Sequence, residues 1–463
     1  MSINGSTDAQ ARGLRAAVTT LIGQLRHRYA DTSHASMAQR FAGTAFLIRV
    51  LSAALVYGSQ ILLARWMGTY EFGVYVFVWT VAVLIGDLCD LGLASSAQRF
   101  VPEYRQRGAL NLLRGFVLYS RWLAIASACI VAIAGVAMIL LLQPWLSDHL
   151  VLPLMIACVM LPFYVLMQVQ DGIARSYDWV MLALMPLYIV RHAAMLALVL
   201  VAYLAGFPAD AITATAAVGI AIALTAISQS IALNRRLRQE IKTGPKERDL
   251  RVWYATALPI FVVEGLYLWV NNTDILVLQF FRSPEDVAIY FAAAKTLTLV
   301  SFVYFAVAGA VAHRFSEYHA EGDQARLIEF LRSAIKLTFW PSLVATIAMV
   351  VAGQPLLMLF GKGFMEGYPV ILILSVGLLA RASVGPAERL LLMVGQQRAC
   401  AAVYGAAFVV SLALCLLLVP RFGIHGAAAA SASALIVESA LLFAVIRRRL
   451  GLHAFIWGKR RPA

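Results

Sequence analysis

RFVPEYRQRG occupies residues 99–108, and an altered copy, RFSEYHAEG, occupies residues 314–322. The second copy lacks one residue between its Phe and its Glu, so the likeness is imperfect. Two further markers recur at nearly the same offset. YEFGVY at 70–75 answers to EDVAIY at 285–290, and Gln143-Pro144 answers to Gln354-Pro355. Each pair alone is weak. Three collinear pairs, spaced by about 211–215 residues, point to a chain built twice from one unit.

Composition says what the unit is. Of 463 residues, 61% are hydrophobic and 13% charged, against about 45–50% and about 25% in soluble domains. A helix needs roughly 20 apolar residues to cross a bilayer. About twelve such runs can be drawn, at 41–64, 72–96, 116–142, 150–173, 180–205, 208–233, 252–280, 287–312, 334–360, 366–394, 399–419 and 423–446. They leave no room for a soluble domain. The expected fold is all-α and integral to the membrane, with about 12 transmembrane helices in two six-helix repeats, 41–233 and 252–446. An even number of crossings leaves both copies in one orientation, so the repeats are parallel, an N-lobe and a C-lobe about an axis along the membrane normal. Two such lobes enclose a central cavity, and rocking them alternates its access. A basic tail, 1–40, precedes them; a basic linker, 234–251 (NRRLRQEIKTGPKERDLR), joins them; a second basic tail, 447–463, follows.

The net charge of +14 raises nucleic acid as a partner, but its distribution argues against one. Alternate loops and tails hold 27 Lys and Arg, whereas the other side holds only Arg65, Arg282, Lys362 and Arg421. This is the positive-inside pattern, which places both termini in the cytoplasm. In the first tail, Leu14, Val18, Leu21, Ile22 and Leu25 recur at helical spacing among arginines. That pattern fits an amphipathic helix on the membrane surface or a disordered basic tail. No short apolar core precedes a small-residue cleavage site there, which argues against a cleaved leader.

An ionisable side chain within a span is costly and marks a functional position by default. Arg121, Arg389 and Glu438 lie close enough to a helix end to snorkel, and Asp87 and Asp90 are placed to pair with Arg99 or Arg105. Arg49, Arg191, Lys295 and Arg381 are harder to dismiss, since each sits roughly 12 Å inside its span at about 1.5 Å per residue. Arg49 shares a helix face with Ser52, Ser59 and Gln60, a polar stripe that must face protein or water. In the seventh span Glu264, Tyr267, Asn271 and Asp274 fall within about 80° of one another, an acidic stripe. These charges either form buried ion pairs, for example Arg49 with Asp274, or line a wet cavity. The cations outnumber acidic partners at mid-depth, which favours an anionic ligand. Guanidinium matches phosphate oxygens bidentately, so a diphosphate headgroup suits the pattern. On this reading Arg49, Arg191, Lys295 and Arg381 bind substrate, while Glu264, Asn271 and Asp274 serve ion coupling or ion pairing.

No catalytic or metal constellation stands out. There is no Gly-rich loop ending in Gly-Lys-Ser/Thr, and the eight His residues have no metal spacing. The outer loops are too short for glycosyl-transfer chemistry. Cys89, Cys129, Cys158, Cys400 and Cys415 all fall in or beside apolar spans and read as packing residues. Neither an enzyme nor a cofactor is expected.

MGTYEFGVY (67–75), DLGLASSAQRFVPEY (90–104), DILVLQFFRSPEDVAIYFAAAK (274–295), PLLMLFGKGFMEGYPVILILSVG (355–377) and VPRFGIHGAAAA (419–430) resemble the polysaccharide biosynthesis flippases. These are Wzx-type lipid-linked oligosaccharide transporters of the multidrug/oligosaccharidyl-lipid/polysaccharide exporter superfamily. The similarity runs over 41–446. It implies two six-helix bundles forming a V around a cationic cavity, which pass undecaprenyl-diphosphate-linked oligosaccharide from the inner to the outer leaflet. It also implies a drive from an ion gradient or the membrane potential, and polymerase or export proteins as partners for the tail. Asp274 matches the family's acidic position early in the second lobe. Ala288 stands where many relatives have Gly, and the forty-residue tail is longer than usual. The rivals are a cation-coupled multidrug antiporter of the same superfamily, which predicts an acidic cavity, and a non-transporting scaffold for polysaccharide assembly. A lipid II flippase usually carries helices beyond twelve, and none can be drawn.

Overall fold

The computed structural model describes residues 34–321 and 323–457. The first tail's amphipathic stretch lies outside the described residues. The chain divides into two units, residues 1–51 and residues 52–463. In the first, the described residues 34–51 are helical throughout. The second holds the remaining architecture.

The α-helices are α1 (His34–Cys89), α2 (Leu93–Gln106), α3 (Leu110–Leu142), α4 (Asp148–Ser176), α5 (Val180–Met185), α6 (Arg191–Leu204), α7 (Ala211–Glu240), α8 (Leu250–Val270), α9 (Thr273–Phe281), α10 (Pro284–Thr298), α11 (Ser301–Ala320), α12 (Gln324–Phe360), α13 (Tyr368–Val384), α14 (Ala387–Met393) and α15 (Gln397–Leu450). Among the described residues, nine helical stretches are long and apolar enough to cross a membrane. Gly68, at φ 77°, bends α1, and Gly423, at φ 55°, bends α15. Each of these long helices therefore carries two crossings. With α10 and α11 as a further crossing, the total is the twelve drawn from hydropathy. The protein is an all-α membrane protein of two consecutive six-helix halves, as expected. With no water to serve the backbone, helices are the one open-chain solution to crossing lipid.

The repeated signature is a structural clasp. In the first copy Phe100 is buried, stacks on Tyr104 with ring centres 5.6 Å apart, and packs on Phe116 of α3 at 5.3 Å. In the second copy Phe315 and Tyr318 each pack on Phe330 of α12 at 5.5 Å. Each aromatic pair contributes about 0.5–1.5 kcal/mol beyond its burial. The aromatic residues therefore face inward and pin one crossing to the next. Gly108, at φ 68°, makes the turn that follows α2. In the first copy the clasp also reaches the second half, since Trp253 Nε1 donates to the Tyr104 hydroxyl at 2.9 Å.

The YEFGVY and EDVAIY markers meet each other. Phe72, Tyr75, Val287, Ala288 and Tyr290 are all buried. Phe72 lies 6.0 Å from Phe291 and from Phe364, and 6.5 Å from Phe360. A Cβ on Gly73 would stand 1.7 Å from the Pro284 carbonyl oxygen, so only Gly admits this approach. Tyr57 and Thr296 share a hydrogen bond of 2.9 Å, and Arg65 Nη2 donates to the Met358 carbonyl at 3.2 Å. The two halves are thus sealed at this end. Elsewhere small residues bring helices close, as a stripe of Ala does on α15, where a Cβ on Gly377 would come within 2.7 Å of the Ala432 Cα. Close approach of this kind drives helix association in lipid. Large apolar residues such as Ile130, Ile133 and Leu141 of α3 point outward.

Candidate functional site

The buried charges fall into three neighbourhoods, and of the expected cations Arg381 lies apart from Arg191 and Lys295. α5 gives way to a π turn, Pro186–Val190, immediately before Arg191. Pro186 lacks the N–H that would close an α turn, and π turns inside helices recur at functional sites. The Arg191 guanidinium sits 5.4 Å from the Trp79 ring centre, with the hydroxyls of Tyr164, Tyr75 and Tyr188 nearby. Lys295, in the last turn of α10, places Nζ 5.2 Å from the Phe291 ring centre. The two charges are close enough to repel one another. Among the described residues neither makes an ion pair. One cation from each half thus rests on an aromatic face, an attraction of about 0.5–2 kcal/mol.

Arg381 is different. Its Nη2 lies 3.7 Å from Glu388 Oε2 and its Nε lies 3.7 Å from Glu438 Oε1. Its guanidinium also covers Tyr304 at 4.9 Å and Tyr267 at 5.7 Å. This cluster borders a cavity of about 150 Å³ lined in part by Tyr267, Asn271, Ser301 and Arg381. Glu438 does not snorkel; it is 1% exposed and held by Arg381. Its reach toward the helix end is outweighed by an opposite charge within the bundle.

An acidic cavity of about 300 Å³ lies where the halves meet, lined by Asp87, Asp90, Asp171, Arg175 and Glu264, among others. Asp87 accepts from the Tyr164 hydroxyl at 2.9 Å and from Gln168 Nε2 at 3.1 Å. Asp90 accepts from the Gly92 N–H at 2.7 Å. Glu264 accepts from the Ser95 hydroxyl at 2.7 Å, across the two halves. Arg175 pairs with Asp171 at 2.8 Å. The expected pairing of Asp87 and Asp90 with Arg99 or Arg105 is not made. Arg99 and Arg105 instead turn to Glu103 and Glu240, at 3.7 and 3.9 Å, because those carboxylates share the exposed helix ends with them.

The acidic stripe of the seventh crossing is broken. Asn271 Nδ2 donates to the Tyr267 carbonyl at 2.6 Å, Asn272 Nδ2 to Leu268 at 2.8 Å, and the Thr273 hydroxyl to Trp269 at 2.6 Å. Three successive side chains compete for the carbonyls of the helix ladder, and α8 ends there. Glu264 therefore faces the acidic cavity, Asn271 faces the Arg381 cluster, and Asp274 faces neither. Asp274 accepts from the Tyr290 hydroxyl, from the Ser431 hydroxyl at 2.8 Å and from the Ile275 N–H at 2.9 Å. All three of these donors are neutral groups. The Arg49 side chain lies outside the described residues. Ser52, Ser59 and Gln60 are buried, as their stripe required.

Sequence reasoning missed Asp171 and Arg175, which lie four residues apart on one helix face. It also left aside Tyr188, inside the π turn.

A family model described as "Polysaccharide biosynthesis protein" matches residues 42–319. No curated protein matches the chain by sequence. Among solved structures, an inward-facing multidrug resistance MATE family transporter of the MOP superfamily is similar at TM-score 0.68 and 14% identity, covering 88% of this chain and 94% of that one. The lipid II flippase MurJ, in an inward closed conformation, is similar at TM-score 0.68 and 15% identity, covering 87% of each. A MOP superfamily transporter from Pyrococcus furiosus, described by the reverse polarity of its binding pocket, is similar at TM-score 0.67 and 14% identity, covering 90% of this chain and 96% of that one. These likenesses establish the fold.

Proposed function

Since the chain belongs to the polysaccharide biosynthesis protein family, we propose that it is a flippase that moves an oligosaccharide linked to undecaprenyl diphosphate across the cytoplasmic membrane. The observation that carries this reading is the pair Arg191 and Lys295, one from each half, partly buried and without a carboxylate partner among the described residues. Two unneutralised cations set close together in a membrane protein are stabilised most readily by an anion between them. A diphosphate supplies two negative groups and accepts charge-assisted hydrogen bonds from both cations. On this reading the lobes 41–233 and 252–446 rock about the bound headgroup while the prenyl chain stays in lipid. Both termini are cytoplasmic, in keeping with the Lys and Arg bias of the loops.

The remaining charges take distinct parts. Arg381, neutralised by Glu388 and Glu438, acts as a support of the C-lobe in this conformation and contacts substrate only if that network opens. Asp274, Asn271 and Glu264 are the coupling candidates. Glu264 is the best placed, because its bond to Ser95 crosses between the halves and must break when they part. Export or polymerase proteins are the partners this role implies.

One observation favours the second reading, a cation-coupled multidrug antiporter: the acidic cavity around Asp87, Asp90, Asp171 and Glu264. It accommodates a cation as naturally as the Arg191–Lys295 pair accommodates an anion. The test is a lipid extraction from a strain lacking the protein. Accumulation of completed lipid-linked oligosaccharide on the cytoplasmic leaflet supports the flippase. Normal polymer with no accumulated intermediate, together with raised drug sensitivity, supports the antiporter instead.

A further inference from the structure

A second cationic site lies away from the charges between the halves. The end of α7, the start of α3 and the linker that follows α7 enclose a cavity of about 640 Å³. Five cations line it, Arg114, Arg121, Arg238, Lys242 and Lys246, and no Asp or Glu does. Among the described residues none of the five makes an ion pair.

The site is built, not incidental. The linker is stitched onto α3: the Glu247 N–H donates to the Asn111 carbonyl at 3.1 Å, and Asn111 Nδ2 donates to Glu247 Oε1 at 2.9 Å. Arg114 donates to the carbonyls of Lys242 at 2.8 Å and Pro245 at 3.2 Å, and to Asn111 Oδ1 at 2.8 Å. A Cβ on Gly115 would fall 1.6 Å from the Glu247 carbonyl oxygen, and one on Gly244 would fall 2.7 Å from Arg114 Nη1. The chain thus keeps Gly at both points where the linker closes down. Deeper in, Arg121 is oriented by the Val117 carbonyl at 2.9 Å and by Asn234 Oδ1 at 2.8 Å. Those bonds occupy Nε and Nη1, which leaves Nη2 for a ligand oxygen.

The depth identifies the ligand. Arg114 and Arg121 are seven residues apart on α3, so positive charge extends about 10 Å along a helix that runs on into lipid. Beyond Arg121 the wall turns apolar, with Ile125 and Leu166, and Trp122 stands 62% exposed beside it. Trp at such a level marks the boundary between headgroups and chains. A soluble anion would use the cations and leave the apolar wall wet. A lipid uses both.

We propose that this cavity binds the phosphate headgroup of an anionic phospholipid, with its acyl chains along Trp122 and Ile125. The site is separate from the transport reading and does not depend on it. Basic pockets between crossings suit such headgroups on electrostatic grounds.

The test uses the full-length protein in phosphatidylcholine vesicles doped with a lipid brominated on its acyl chains. Quenching of Trp122 is taken as the difference between the parent and its Trp122→Phe variant. Brominated phosphatidylglycerol is expected to quench Trp122 well beyond brominated phosphatidylcholine at equal mole fraction. Arg121→Gln with Lys242→Gln is expected to lower that preference by about 10–30-fold in apparent affinity, as loss of two surface cations predicts. Arg121→Lys with Lys242→Arg is expected to retain it, which separates charge from folding. Equal quenching by both lipids in the parent overturns the proposal, as does a preference that survives the Gln pair. Complete displacement by inorganic phosphate also overturns it, because the site would then take a free anion.

Discussion

Replacing Gly73 by Ala tests whether the meeting of the two repeat markers holds one end of the molecule shut. The new methyl group would stand 1.7 Å from the Pro284 carbonyl oxygen and 2.4 Å from its carbon, where ordinary contact begins at 3.4 Å. The start of the second crossing and the start of α10 must then part by about 1.7 Å, an overpacking that costs about 1–3 kcal/mol. The cost is felt through the cluster of Phe72, Phe291, Phe360 and Phe364, whose ring centres lie 5.6–6.5 Å apart. A gap of about 1 Å forfeits up to half the dispersion energy of such contacts. An arrangement in which this end is open carries no clash at all. Gly73→Ala therefore moves the closed-to-open ratio by about 5–150-fold toward open. Spin labels at Trp145→Cys and Phe280→Cys, positions 83% and 82% exposed, report the separation of the halves by pulsed electron resonance, with the five native cysteines replaced by Ala. Both lie toward this end, since Tyr70 hydrogen-bonds His149 and Phe280 precedes Pro284. The longer-distance population is expected to grow in the Ala variant. An unchanged distribution refutes the reasoning, because it would show that the helices absorb a methyl group without parting.

Arg381→Ala leaves Glu388 and Glu438 buried without their cation, and is expected to cost about 3–5 kcal/mol; a large fall in melting temperature, mostly recovered when both glutamates become Gln, is the outcome to look for. Arg191→Gln and Lys295→Gln each relieve a like-charge repulsion, so abundance and melting temperature are expected to hold. Polymer export in those variants should drop by about tenfold or more, the value of one charge-assisted hydrogen bond, while Lys295→Arg keeps most of it. Gly115→Ala pushes a methyl group into the Glu247 carbonyl and lifts the linker from α3. Faster trypsin cleavage after Lys246 or Arg248 is the expected reading, and an unchanged digest counts against the stitched linker.

The crossings were legible because hydropathy in lipid is a signal of length and composition alone. Every drawn span is helical over most of its length, although those at 180–205, 252–280, 287–312 and 366–394 are each interrupted by a break between two helices. The repeat was legible from three short markers, but its reason was not. That Phe100 and Phe315 clasp Phe116 and Phe330 is a statement about partners on later helices, which a local motif does not contain. The charges were harder. Depth within a span singles out Arg191, Lys295 and Arg381, yet depth is blind to what a neighbouring helix presents. Two of these three form no ion pair among the described residues, and one is doubly paired. Helical arithmetic placed Glu264 and Asp274 on one face, and it failed because Asn271, Asn272 and Thr273 interrupt the helix between them. Three polar residues in a row within an apolar span were the available warning. Asp171 and Arg175 escaped notice because they pair with each other near a helix end.

The interruption at Asn271–Thr273 also makes a lever of the piece beyond it. α9 has nine residues and so measures about 13 Å. Swung by 10° about that joint, its far end travels about 2 Å, while Asp274, one residue past the pivot, hardly moves. The Tyr290 and Ser431 hydroxyls hold this short arm. A small displacement at the pivot is therefore a larger one at Phe280 and Phe281, a few residues before Pro284, where the two halves of the chain are sealed.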